Sequence, residues 1–122
     1  MVIINASKEN ATELAYLINL AGEGIPAYLW QDMAEENESP LDVGKRRAAR
    51  EEGSFSYHNA KICVENHALL GMLISYRQPD PYIIDDILEY PELVRPLIEL
   101  EARAPGSWYI NAIATYKEHR GK

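Results

Sequence analysis

Cysteine is almost absent from the sequence, and long apolar runs are missing altogether. Cys63 is the single cysteine among 122 residues, which excludes an internal disulfide or a multi-cysteine zinc site and suits a reducing compartment. A membrane helix needs about 20 consecutive apolar residues, and the opening run at Met1–Asn5 is too short for the core of a signal peptide. The sequence therefore predicts a soluble, cytoplasmic protein with no membrane partner.

Basic residues are also scarce relative to acidic ones. Twelve lysines and arginines against nineteen aspartates and glutamates give a formal net charge of −7. This balance argues against the phosphate backbone of nucleic acid as a partner. The 47% hydrophobic and 25% charged residues are ordinary for a globular protein. Because the chain has the length of one domain, we expect a single domain over residues 1–122.

The first half of the sequence predicts one short strand followed by three helices. Val2-Ile3-Ile4 is a β-branched run typical of a strand, and apolar residues then recur at helical spacing over about Asn10–Ala21. Pro26 stands where a proline begins a second helix. Ser39-Pro40 has the N-cap and first-residue pattern of a third helix, which we expect to end near Glu52.

The middle of the sequence predicts a β-hairpin. Side chains alternate in character from Ala60 to Tyr76, with a period of two that is typical of strands. The alternation is interrupted at Asn66-His67, two residue types that tolerate a positive φ better than most. We therefore expect two antiparallel strands joined by a two-residue turn.

The last third predicts a helix and a final strand. The segment Gln78–Pro91 contains three prolines and is excluded as a central strand. Leu93, Leu97 and Leu100 restore helical spacing, and we expect Leu97 and Leu100 to face the core. Trp108–Thr115 is aromatic and β-branched, as strands are. The whole pattern predicts an α/β fold in which at least part of the sheet is antiparallel.

The C-terminal residues carry the most specific signal. Ile113-Ala114-Thr115 ends the predicted last strand, and Arg120-Gly121-Lys122 follows after a short link. These two stretches resemble the GNAT superfamily of acyl-CoA-dependent N-acetyltransferases, and Leu69-Leu70-Gly71 in the hairpin is similar to that family's second and third strands. The resemblance implies a mixed, mostly antiparallel GNAT-like sheet flanked by helices.

The resemblance also implies acetyl-CoA as co-substrate and assigns residues to it. Ile113, Ala114 and Thr115 correspond to the strand end whose backbone pairs with the pantetheine arm. Arg120 and Gly121 correspond to the start of the loop that holds the pyrophosphate, where glycines let backbone N–H groups approach an anion. No metal is expected, because the three histidines have no ligand spacing.

The sequence stops at Lys122, before the glycines that follow in the family's loop. We therefore expect the GNAT-like fold to be incomplete at the C-terminus, by about fifty residues of a usual domain. The tyrosine that these enzymes often use as general acid lies in that part. We expect the 122 residues alone to be inactive.

Two residues are candidates for proton handling. Aminolysis of a thioester needs a neutral amine, so a base or an oriented water must take a proton. The family often places a carboxylate on its fourth strand, where this sequence has Tyr109 and Asn111. Asn111 is a candidate for orienting a water, and Glu101 on the preceding helix is a candidate base. The alternatives are structural: a polar strand residue and a solvated helix glutamate.

Two functions remain open at this point. The first is an N-acetyltransferase that moves an acetyl group from acetyl-CoA to a primary amine of a small-molecule or peptide acceptor. The second is a catalytically inactive GNAT-like fragment that acts as an interaction or structural module. In that case the edge of the last strand invites another chain, and a homodimer is the expected form.

Overall fold

A computed structural model describes residues 1–78, 81 and 90–117. The strands described are β1 (Val2–Asn5), β2 (Ala60–Glu65), β3 (Ala68–Arg77) and β4 (Trp108–Thr115). The α-helices described are α1 (Ala11–Ala21), α2 (Ile25–Gln31), α3 (Pro40–Ala48) and α4 (Arg95–Glu101). Short 3₁₀ helices cover Lys8–Asn10, Tyr57–Asn59 and Glu92–Val94. The predicted α/β class is confirmed.

The four strands form one sheet in the order β1-β2-β3-β4. β1 pairs with β2 and β2 pairs with β3, both antiparallel. The Tyr116 N–H donates to the Leu70 carbonyl over 2.9 Å, and the Gln78 N–H donates to the Ser107 carbonyl over 2.7 Å. The start of β3 therefore lies opposite the end of β4, as in an antiparallel pair. This agrees with the mostly antiparallel sheet that the sequence predicted.

The hairpin turn has the expected two residues. Asn66 and His67 have φ values of 51° and 68°, so both adopt the left-handed conformation that a type I′ turn requires. Ala60 lies opposite Ile74 in the ladder. The turn thus sets a register in which Ile62 and Met72 share one face of the sheet.

Helix α3 begins where the sequence predicted and ends earlier. The Ser39 hydroxyl accepts from the Asp42 N–H over 3.2 Å, and the Asp42 carboxylate accepts from the Ser39 N–H over 2.9 Å, a reciprocal cap. The expectation that α3 extends to about Glu52 is wrong. Gly53 has a φ of 105°, and the buried Ser56 hydroxyl donates to the Arg50 carbonyl, so the chain turns back before another helical turn forms.

Two compact units divide the chain, Met1–Ser75 with Ile110–Lys122 and Tyr76–Tyr109. A single domain over residues 1–122 stays a prediction. The core of the first unit combines helix and strand side chains that are all buried. They are Leu14, Leu17, Ile18, Trp30, Val43, Ile62, Met72, Ile74 and Ala112. Within this unit α1 packs against α3, and α3 packs against α2.

In the second unit, α4 presents its leucines to solvent. Leu97 and Leu100 are 47% and 59% exposed, no residue of α4 is buried, and Leu93 in the preceding 3₁₀ helix is 55% exposed. The expectation that Leu97 and Leu100 face the core is therefore wrong. The spacing correctly placed them on one helix face, but spacing does not determine which element covers that face.

Candidate functional site

A groove of about 260 Å³ lies along the sheet of the first unit. Its walls come from all four strands, and most of its side chains are apolar. The lining residues are Met1, Ile3, Lys61, Ile62, Cys63, Leu70, Gly71, Met72, Leu73, Ile113, Ala114 and Thr115.

The groove exists because alternate side chains of each strand point away from the helices. In the ladder Ile3 lies opposite Cys63, and Cys63 lies opposite Gly71. Ile3 and Ile113 are 69% and 68% exposed, although both are β-branched apolar residues. Cys63 is a free, half-buried thiol that lines this groove.

Gly71 brings the end of β4 unusually close to β3. A Cβ atom at this position would lie 2.6 Å from the Ala114 carbonyl oxygen and 3.1 Å from the Thr115 Cα. Real Cβ atoms do not approach a carbonyl this closely. Only glycine therefore allows the backbone of Ala114 and Thr115 to lie this close to β3.

The structure brings three of the predicted cofactor residues together. Ile113, Ala114 and Thr115 are consecutive on β4 and all line the groove. Arg120 and Gly121, the predicted pyrophosphate residues, lie outside the described residues. The geometry of the proposed cofactor site is thus defined at the strand end.

A ring contact from α1 also meets the end of β4. The Tyr16 and Tyr116 rings stack with centroids 5.5 Å apart and planes inclined by 19°. The Tyr116 N–H belongs to the ladder through its bond to Leu70. Sequence reasoning missed this pair, because Tyr16 stands outside the apolar stripe of α1 and nothing in the sequence links it to Tyr116.

Asn111 occupies β4 two residues before Ile113. It is half-buried, and the next residue, Ala112, is 8% exposed and belongs to the core. Alternation along the strand places Asn111, Ile113 and Thr115 on the same face. Asn111 is not a lining residue of the groove. Its role in orienting a water stays a prediction.

Glu101 lies in the second unit, where it contacts Tyr109. Burial, and then the Glu101 charge and hydrogen bond, raise the pKa of Tyr109 to about 12. The phenol therefore stays protonated near neutral pH and donates to the Glu101 carboxylate. The Tyr76 ring meets Tyr109 edge to face, with centroids 5.8 Å apart. A role for Glu101 as base stays a prediction.

A second polar cluster surrounds Glu51 in the first unit. Its carboxylate accepts from the Lys8 ammonium over 3.1 Å and from the Tyr57 hydroxyl over 2.9 Å, and it meets His58 Nε2 over 2.6 Å. These contacts, the one with His58 foremost, lower the pKa of Glu51 to about 2. The cluster is exposed. We therefore interpret it as a set of surface contacts that joins Lys8 to the segment Glu51–His58, and not as a reaction site.

Two kinds of feature are absent from the part of the chain that the structure describes. No three histidine, cysteine, aspartate or glutamate side chains gather there as metal ligands do. No helix there has the length and apolar character needed to cross a membrane.

Two solved structures share the fold. One is an N-acetyltransferase from Staphylococcus aureus Mu50, with a TM-score of 0.64 and 18% identity, and the match covers 100% of this chain and 69% of that chain. The other is an acetyltransferase with a TM-score of 0.64 and 16% identity, covering 99% and 66%. No protein-family model and no curated protein sequence matches.

The chain therefore has the fold of these acetyltransferases over its whole length. It spans about two thirds of the length of each. The resemblance noted in the sequence is confirmed at the level of the fold. The described elements of the matched chain run from β1 to β4. At this level of identity the likeness defines architecture, and activity is a separate question.

Proposed function

We propose that the natural protein is an N-acetyltransferase that transfers the acetyl group of acetyl-CoA to a primary amine of a small molecule or peptide. The observation that supports this most strongly is the coincidence of the acetyltransferase fold with the position of Ile113–Thr115. These residues carry the resemblance in the sequence, and in the structure they meet at the groove.

The end of β4 suits a cofactor arm that contains amide groups. β4 is the last strand in the order of the described sheet, with β3 as its neighbour. A chain of amides can pair with the outer backbone groups of such a strand as an additional strand does. Gly71 allows Ala114 and Thr115 to lie close to β3, and the Tyr116 N–H bonds to the Leu70 carbonyl, so the pairing partner is held by the sheet before the ligand arrives.

The reaction proposed is direct attack of a neutral amine on the thioester carbonyl. A C–N bond forms, the C–S bond breaks, one proton leaves the amine nitrogen, and one proton reaches the departing CoA sulfur. Asn111 orients the water that takes the amine proton in one version of this proposal. In the other version the Glu101 carboxylate is the base.

The test is acetyl transfer by the natural protein at its full length, measured as release of CoA thiol with a panel of primary amines. Asn111→Ala is expected to lower kcat by roughly 100-fold if Asn111 orients the water. Glu101→Gln tests the rival base and retains an oxygen that accepts from Tyr109. Glu99→Gln on the same helix is the matched control.

The outcomes separate the two versions. A large loss in the Asn111→Ala protein alone supports the water, and a large loss in the Glu101→Gln protein alone supports the carboxylate. Unchanged rates in both over pH 6–9 exclude both residues as the source of base catalysis. Absence of transfer to any amine by a folded wild-type protein argues against the enzyme proposal itself.

A second candidate function is an interaction module. β4 ends the described sheet, and Trp108, Ile110 and Ile113 on it are 70%, 61% and 68% exposed. An apolar end strand pairs readily with another chain, and the occupant we propose is a second copy of this chain. Under this proposal two β4 strands pair across a twofold axis.

Light scattering on the natural protein tests the module. Pairing of β4 predicts a dimer that Ile110→Lys converts to a monomer, because a charge on an end strand opposes pairing. Met33→Lys, at another exposed apolar residue, is the control and should leave the dimer intact. A monomer that transfers acetyl groups favours the enzyme. The mass of the natural protein, measured against 13.8 kDa for these 122 residues, reports whether further chain accompanies them.

A further inference from the structure

The end of β4 is held by a contact from helix α1 as well as by its neighbours in the sheet. Tyr16 is 48% exposed on α1, yet its ring lies against Tyr116 at a centroid distance of 5.5 Å. Neither tyrosine lines the groove. The pair therefore contacts the strand that carries Ile113–Thr115 without itself occupying the space where a ligand would lie.

Three contacts converge within two residues of Thr115. The Tyr116 N–H donates to the Leu70 carbonyl over 2.9 Å. Gly71 admits the Ala114 carbonyl at a distance that any larger residue would forbid. The Tyr16 ring then joins the Tyr116 side chain to a helix whose neighbouring residues, Leu17 among them, are fully buried. The backbone between Ala114 and Tyr116 is thus fixed to both the sheet and the helix layer.

This arrangement matters for a site built from backbone groups. A strand end that serves as a pairing partner must hold its N–H and C=O groups in place, since ordering them on binding weakens the affinity. The ladder bond acts on the peptide of Tyr116. The ring stack acts on its side chain and links the strand end to the rigid packing of α1.

We infer that Tyr16 and Tyr116 are positioning residues for the acyl-CoA donor, acting through the backbone of Ala114 and Thr115. This inference rests on the proposed acetyltransferase function. It predicts that loss of either ring weakens acetyl-CoA binding by about two- to tenfold, the equivalent of one aromatic pair. The KM for the amine and the kcat at saturating acetyl-CoA should change little.

The experiment measures steady-state kinetics and acetyl-CoA titration by calorimetry on the natural protein at full length. The variants are Tyr16→Ala, Tyr116→Ala and the double variant, with Tyr16→Phe as the conservative change. Tyr16→Leu keeps apolar volume without a ring and serves if Tyr16→Ala fails to fold. Thr12→Ala, exposed one turn earlier on α1, is the matched control.

Coupling between the two positions supports the inference. The double variant should lose no more acetyl-CoA affinity than a single one, because both changes remove the same contact. Tyr16→Phe should restore the affinity of the wild type, and Thr12→Ala should retain it. A merely structural role predicts lower thermal stability with an unchanged KM for acetyl-CoA.

Two negative results have different meanings. If the folded wild-type protein does not bind acetyl-CoA, the proposed function fails and the inference fails with it. If the wild type binds and the Tyr16→Leu protein binds equally well, the inference is overturned while the proposed function stands. Additive losses in the double variant also overturn it, since the rings would then act independently.

Discussion

Glycine at position 71 lets two strands approach at the point where the proposed cofactor site begins. Any Cβ there would contact the Ala114 carbonyl oxygen at 2.6 Å. The sequence signal was the Leu69-Leu70-Gly71 stretch in a strand, and glycine in a strand interior often marks a close backbone approach. Gly71 therefore belongs to the family resemblance in the sequence, and it also meets a geometric requirement of the structure.

The Glu51 cluster makes stability depend on pH. The pKa of Glu51 is about 2 in the folded protein, against 4.5 ordinarily. A carboxyl with a depressed pKa stabilises the fold fully above its ordinary pKa, and this contribution is lost as the pH falls through the folded value. We expect Glu51→Gln to lower the unfolding midpoint at pH 5–6, with the difference from wild type shrinking towards pH 2.

Urea unfolding across pH 2–6 measures this dependence. Glu52→Gln changes an exposed neighbouring carboxylate. Its difference from wild type in the unfolding midpoint should not shrink towards pH 2. A difference between wild type and Glu51→Gln that stays constant over the whole range would contradict the assignment.

Some site residues can be predicted from the sequence, and others cannot. Ile113, Ala114 and Thr115 were predictable because they are consecutive and fall at a recognisable strand end. The Tyr16–Tyr116 contact was not, since 100 positions separate the two rings and only the tertiary fold brings them together. The partner of Glu101 was likewise hidden, because Tyr109 becomes its donor only when α4 and the start of β4 have folded.

At the scale of elements, the hairpin turn holds non-glycine residues in an unfavourable backbone conformation. His67 has a φ of 68°, a left-handed conformation that costs a non-glycine residue about 1–2 kcal/mol. His67→Gly removes this cost but adds flexibility to the unfolded chain, so we expect a net gain of about 0.5 kcal/mol in the free energy of unfolding. His67→Val should lower it by about 1 kcal/mol or more.

Chemical denaturation of the three proteins checks the order Gly, His, Val. Ala68→Gly, one position later in extended strand backbone, is the control and should destabilise. If His67→Gly were less stable than wild type, the turn geometry would be wrong.

Helix α3 contains a glycine that helix propensity does not favour. A Cβ on Gly44 would overlap the six-membered ring of Trp30, which is only 3% exposed and has little room to move. Gly44→Ala gains about 1 kcal/mol in propensity, while overpacking costs about 1–3 kcal/mol. We expect a net loss of up to about 2 kcal/mol in the free energy of unfolding.

Thermal and urea unfolding measure this balance. Lys45→Ala, an exposed change on the same helix, should stay within about 0.5 kcal/mol of wild type. A stabilised Gly44→Ala protein would show that propensity outweighs the Trp30 contact.

Local patterns predicted elements better than they predicted their surroundings. The hairpin followed from period-two alternation and a turn dipeptide, which are properties of the few residues involved. The leucines of α4 were correctly placed on one face and wrongly buried, because the covering element is not encoded in their spacing. The end of α3 was missed because the chain reversal after it depends on Gly53 and on the Ser56 hydroxyl, which donates to the Arg50 carbonyl, and helical spacing does not show such contacts.

At the scale of the whole molecule, the fold and the groove at the end of β4 point to the same function. The chain matches two acetyltransferases along its full length and spans about two thirds of theirs. The acidic balance of −7 suits a cationic amine acceptor better than an anionic one. The inactivity of the 122 residues by themselves stays a prediction.

The central claim is that acetyl-CoA binds at the end of β4. Calorimetric titration of the natural full-length protein with acetyl-CoA tests it most directly, with thermal unfolding alongside to show that the protein is folded. We expect saturable binding of one acetyl-CoA per chain, with a Kd between about 1 μM and 1 mM, the usual range for such substrates. Absence of binding by the folded protein at millimolar acetyl-CoA would contradict it.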